Sequence, residues 1–167
     1  MNLWQQHQKR VPTEKNLLHL HFDAGIPSEL KQQAIAFTKW LRKNYTVPIT
    51  LHVYFRNTYR IRLKNGTMAY GSFRWYPQRP PYIQIAAKPE PEMLKNNSDS
   101  ENTETILSSL VHELTHYYQW LDDLKQTSAA SEWQANHYRY QILDQWQDAI
   151  EKSELNQSKQ INISIVK

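Results

Sequence analysis

Thr105-Ile-Leu-Ser-Ser-Leu-Val-His-Glu-Leu-Thr-His-Tyr-Tyr-Gln-Trp-Leu121 carries, at residues 112–116, two histidines four apart with a glutamate directly after the first. Leu107, Leu110, Leu114, Tyr117 and Leu121 recur at three- and four-residue spacing, the stripe of an amphipathic helix. At about 100° per residue, His112 falls about 200° round from Leu110, and His116 the same from Leu114. Both imidazoles therefore turn away from the stripe, toward a cleft. Residues four apart on a helix sit one turn above each other, so the two rings can reach one ion. A carboxylate beside that ion can take a proton from a water on it.

A catalytic zinc site needs three protein donors and an open position. The chain has no cysteine, so the third donor must be His, Glu or Asp. Asp122, Asp123, Glu132, His137, Asp144, Asp148, Glu151 and Glu154 follow the motif. Asp122 and Asp123 come too soon after the helix to fold back and read as the loop that ends it. Glu132 is better placed. Residues 122–131 can turn the chain, after which 129–150 reads as a second helix antiparallel to the first, with Glu132 in its opening turns. Ala135, one turn on, lets the helices approach closely, and Asn136 is placed to support a ligand from behind. The expected ligands are His112, His116 and Glu132, holding Zn2+, with Glu113 as general base. For the donor that steadies a developing oxyanion, Tyr117, Tyr118, His137 and Tyr138 are the candidates.

His112-Glu113-Leu114-Thr115-His116, followed by Glu132-Trp133-Gln134-Ala135-Asn136, resembles the gluzincin metallopeptidases, and especially the compact ImmA/IrrE-type domain. That family pairs HExxH with a later Glu-x-Glu-Ala-Asn-like segment. Gln134 stands where it carries a second glutamate, and the gap from His116 to Glu132 is shorter. The matching residues lie within 105–143. The resemblance implies a minimal zincin of α+β class: an N-terminal helix, a small, mostly antiparallel sheet of three or four strands, the HExxH helix, and a helix bearing the third ligand. It implies zinc-dependent hydrolysis of a protein or peptide substrate, added as a strand along a sheet edge at 69–76 or 82–87. SprT-like proteins share the HExxH helix but complete the metal with a third histidine, for which His137 is the downstream candidate. That alternative makes the chain a nucleic-acid-associated protease. A zincin fold used only for binding is a third reading.

Elsewhere the pattern is that of one domain over 1–155, with a polar tail at 156–167 that frays or adds a last short strand. Leu17–Phe22 alternates apolar and polar residues, as a short strand or an extended lead-in, which puts His19 and His21 on one exposed face and away from the metal. Pro27 and Ser28 open a helix running to Asn44, with Leu30, Ala34, Phe37 and Leu41 inward. Pro48–Phe55 is a strand with Ile49, Leu51, Val53 and Phe55 on one face, and Asn65-Gly66 joins 60–63 to 67–76 as a hairpin. Tyr82–Ala87 is a further strand whose preceding prolines mark it as an edge. Residues 88–104 read as a long polar loop, a passive insertion rather than a lid.

The 167 residues, with 20 Lys and Arg against 16 Asp and Glu, carry a net charge of +4. That balance permits contact with nucleic acid without requiring it. No apolar run is long enough to span a bilayer and residues 1–15 have no signal-peptide pattern, so a cytoplasmic location without membrane attachment is expected.

Overall fold

A computed structural model of the chain describes residues 1–15 and 17–166. The fold is α+β, a four-stranded sheet with its helices on one face. In chain order the elements are α1 (Leu3–Gln6), β1 (Leu18–Phe22), α2 (Ser28–Asn44), β2 (Leu51–Arg56), β3 (Ile61–Arg62), β4 (Met68–Ala69), β5 (Gly71–Tyr76), β6 (Arg79–Ala86), α3 (Pro91–Asn96), α4 (Asp99–Leu121), α5 (Ser128–Tyr138) and α6 (Gln141–Val166). None of the described helices is long and apolar enough to cross a membrane.

The strand order is β1-β2-β6-β5, with β3 and β4 forming a separate two-stranded ribbon. The sheet is not mostly antiparallel. β1, β2 and β6 run parallel, and only β5 opposes its neighbour. Because helices cover one face alone, even the parallel strands alternate apolar and polar residues, the pattern expected of an antiparallel sheet. Leu18, Leu51, Val53, Phe55, Ile83 and Ile85 point into a single core shared with α2, α4 and α6.

β6 is an interior strand, contrary to its expected place at an edge. Pro80 and Pro81 precede its first paired residue on β2, Tyr82, so they cost that ladder no hydrogen bond. On the other side a register shift between Arg74 and Tyr76 absorbs them. The edge beside the helices is therefore β5.

Four other boundaries differ from expectation. Ile49 stays outside β2 because its backbone N–H and C=O are bonded to the Tyr117 hydroxyl at 3.2 and 2.8 Å. Residues 88–104 are not one loop. Pro91 opens α3, and Ser98 with Glu101 forms a capping box that starts α4 at Asp99. The expected helix over 129–150 breaks after Tyr138 and resumes at Gln141. The 156–167 segment is neither a strand nor a frayed coil over its described residues, but the exposed end of α6.

The motif helix is fixed from behind by a residue far away in sequence. Trp4, fully buried, donates from Nε1 to Thr115 Oγ1 at 3.0 Å, and its ring meets Tyr45 and Tyr118 edge-on. α1 thus anchors α4 through Thr115, the residue directly before His116.

Candidate metal centre

Helix α4 buries Leu107, Leu110, Leu114 and Tyr117 of the stripe read from sequence, together with Ile106, Val111 and Tyr118, while Leu121 is only partly buried. That orientation leaves His112 and His116 facing a cleft of about 690 Å³ between β5, α4 and α5. Thr127 caps α5 by accepting from the Ala130 N–H at 3.1 Å, and α5 then presents Glu132 across the cleft.

Three donor side chains converge there. His112 Nε2 and His116 Nε2 are 3.2 Å apart. Glu132 Oε2 lies 3.2 Å from the first and Oε1 lies 3.0 Å from the second. Bonds of about 2.0–2.1 Å to one tetrahedral zinc would hold neighbouring donors roughly 3.3 Å apart, so the spacing fits such an ion. Among the described residues this is the only group of three or more His, Asp or Glu side chains so gathered. His137 is not part of it; its ring stacks on Trp133 at 5.0 Å on the exposed side of α5. His19 and His21 lie on the sheet face away from the helices. Asp122 ends α4 and accepts from His7, and Asp123 pairs with Lys125, so both are the terminating residues expected.

The two imidazoles are held by different surroundings. His116 Nδ1 donates to Gln119 Oε1 at 2.8 Å, which leaves the Nε2 lone pair directed into the cleft. Gln119 is itself fixed, donating to Ser131 O at 3.0 Å and Gln134 Oε1 at 2.9 Å, and accepting from Ser131 Oγ at 2.7 Å. Gln134 thus helps tie α4 to α5 two residues beyond Glu132. Burial, followed by the neighbouring His116, lowers the His112 pKa to about 4, so that ring is neutral. Its Nδ1 is buried and makes no hydrogen bond, although Asn136 lies beside it.

Gln119→Ala removes the group that orients His116. Zinc affinity is expected to fall by about 10- to 100-fold, read by competition with a chromophoric chelator. An unchanged affinity would mean that the Gln119 bond is incidental.

Glu113 is 6% exposed. Burial pushes its carboxyl up to about 8; Glu132 pushes the same way, and Arg139 opposes both. Its neighbour on β5 is Gly71, where an added Cβ would stand 3.0 Å from both Glu113 Cγ and Oε1. A glycine at the start of the edge strand is what gives this carboxylate room.

The raised pKa carries a sign that can be measured without substrate. In the metal-free chain the unfolded state ionises Glu113 from about pH 4.3 upward, while the folded state keeps the proton to about 8. Between those values the folded state binds more protons, so its stability falls as pH rises. Glu113→Gln has no such proton. In chelator, the wild type is expected to lose melting temperature relative to Glu113→Gln between about pH 5 and 8. A gap that does not vary with pH would place Glu113 in a wetter site.

The four aromatic candidates for an oxyanion donor are all engaged elsewhere or face away. The Tyr117 hydroxyl donates to Ile49 O and Tyr118 to Thr46 O, while Tyr138 bonds the backbone of Leu3. The cleft instead holds Arg139, from the break between α5 and α6, with its Nε buried and without a hydrogen-bond partner. Phe73, Trp75 and Trp120 form the apolar wall, Trp120 lying 5.9 Å from Phe73 and 6.4 Å from Trp75.

Compared with family models, curated proteins and solved structures, the chain matches none.

Proposed function

We propose that the chain is a zinc-dependent metallopeptidase of zincin type. The observation that carries the reading is the convergence of His112, His116 and Glu132 beside a buried glutamate, in a cleft open along a strand edge. Zinc held by these three residues would acidify a water and polarise the scissile carbonyl. Glu113 takes a proton at its carboxylate and returns it to the leaving amine. A cation held there would lower the Glu113 pKa from its metal-free value of about 8, leaving the carboxylate ionised to act as base. Arg139 offers N–H donors to the oxyanion. An extended peptide would add to β5, with side chains on the Phe73–Trp120 wall. Glu132 as third ligand favours the gluzincin pattern over the one completed by His137.

The test is to incubate the zinc-loaded protein with a denatured protein and identify new N-termini by mass spectrometry. Cleavage products that vanish with chelator and return with zinc are expected. No products from any extended substrate, with zinc stoichiometrically bound, would favour the binding-only reading.

A further inference from the structure

The sheet has a second face, and among the described residues no helix packs on it. Side chains that alternate with the core residues emerge there: His19 and His21 from β1, His52, Tyr54 and Arg56 from β2, Tyr82 and Gln84 from β6, and Arg74 and Tyr76 from β5. A face this rich in rings and cations, left half-exposed, is not what a passive solvated surface requires.

The rings form a continuous strip. His19 stacks on His52 with centroids 5.2 Å apart, and His21 stacks on Tyr54 at 4.5 Å. His21 and His52 are joined by a 2.9 Å hydrogen bond between ring nitrogens. Tyr54 meets Tyr82 edge-on at 6.1 Å, and Tyr82 stacks with Tyr76 at 6.4 Å. Cations lie against the same rings: Arg56 over Tyr54 at 4.7 Å, and Arg79 and Lys64 over Tyr76 at 4.3 and 4.6 Å. Beside the strip runs a shallow groove of about 600 Å³ bordered by Arg56, Arg60, Arg62, Lys64 and Arg74, with Asp23 its one acidic residue and Gln84 offering an amide. Arg56 is paired with Asp23 and Arg60 with Glu90. Arg62, Lys64, Arg74 and Arg79 make no ion pair among the described residues, and the Arg74 guanidinium is held in place by a bond to Arg62 O.

We propose that this open face binds single-stranded nucleic acid, with bases stacked on the His21–Tyr54–Tyr82–Tyr76 strip and the backbone following the basic groove. Aromatic platforms flanked by cations suit unpaired bases, because every base has a stacking face and every nucleotide a phosphate. Four strands at about 4.8 Å spacing give roughly 14 Å of platform, room for two or three splayed bases. Charge decides against a protein ligand of ordinary composition: the groove's cations outnumber its acid, and the exposed groups are flat rings rather than aliphatic side chains. The face is on the far side of the sheet from the metal centre, so the two sites can be occupied together.

The test uses the whole chain and fluorescein-labelled dT20, U20 and a 20-base-pair duplex, followed by anisotropy. Saturable binding to the single strands is expected, with the tighter of dT20 and U20 identifying the natural strand. Four unpaired cations predict a log–log salt slope near −2.8, about a 50-fold loss between 50 and 200 mM salt. Tyr54→Leu with Tyr82→Leu should weaken binding roughly tenfold or more at an unchanged melting temperature. Arg62→Gln with Arg74→Gln should flatten the slope by about 1.4. NMR shift mapping with dT10 requires no variant, and should confine the changes to residues 19–21, 52–64 and 74–84. Absence of saturable binding, a preference for the duplex, or equal affinity for labelled polyglutamate that ignores the tyrosine pair would each overturn the proposal. Shifts centred on the cleft residues would do the same.

Discussion

Glu113→Gln is expected to bind zinc as tightly as the wild type while cleaving roughly 10²- to 10⁴-fold more slowly. Glu113 is not among the converging donors, yet it follows one of them directly and lies against the edge strand where a peptide would sit. Gln has the same shape, so neither the Gly71 contact nor the packing of α4 is disturbed. What it lacks is a site that can accept a proton. The loss should therefore fall on kcat with little change in KM. Comparable losses of zinc and activity would mean that Glu113 supports the site structurally. Retention of full activity would remove it from the reaction.

Glu132→Ala has the second large effect, on metal rather than on rate. His112 and His116 come from one helix and their spacing is set by one turn of it, but Glu132 is what closes the site from α5. Its side chain is 56% exposed, and it makes both of its contacts to the two imidazoles. Without it two donors remain, too few for a stable zinc site, and affinity should fall by more than the roughly 100-fold that loss of a supporting residue costs. The Gln119 network remains to hold α5 in place, so the far-ultraviolet circular dichroism should not change. His137→Ala is the matched control, since its ring stacks on Trp133 outside the site, and it should keep the metal. If zinc were lost on His137→Ala and kept on Glu132→Ala, the third ligand would have been misassigned.

How far the sequence foretold this arrangement depends on the distance over which each feature is determined. The motif helix and the place of Glu132 were legible because periodicity and spacing are local. The parallel pairing of β1, β2 and β6 was not, because an alternating strand looks the same with either neighbour direction once a single face is buried. Pro80 and Pro81 misled for a related reason: they forbid a backbone donor, but whether a partner needed one depends on register. The break at Arg139 has no proline or glycine to announce it, and it places the only arginine that lines the metal cleft among the described residues. The Trp4–Thr115 bond spans 111 positions, and nothing in a short polar N-terminal segment pointed to it. Three omissions did leave a signal. Gln119 follows His116 by three residues on a helix, the spacing at which an amide reaches an imidazole. Gly71 is one of only three glycines and begins a strand, where a missing side chain marks a close approach. The short Ser98-x-x-Glu101 capping box was equally readable and moves the helix start by two turns.

Whether His112, His116 and Glu132 hold one catalytic zinc is tested most directly by X-ray absorption at the zinc edge of the stoichiometrically loaded protein. One zinc per chain is expected, with a nearest-neighbour shell of two imidazole nitrogens and oxygen donors at about 2.0–2.1 Å, the imidazole signal disappearing in His112→Ala with His116→Ala. Failure to load one equivalent of zinc, or a shell without imidazole, would contradict that assignment.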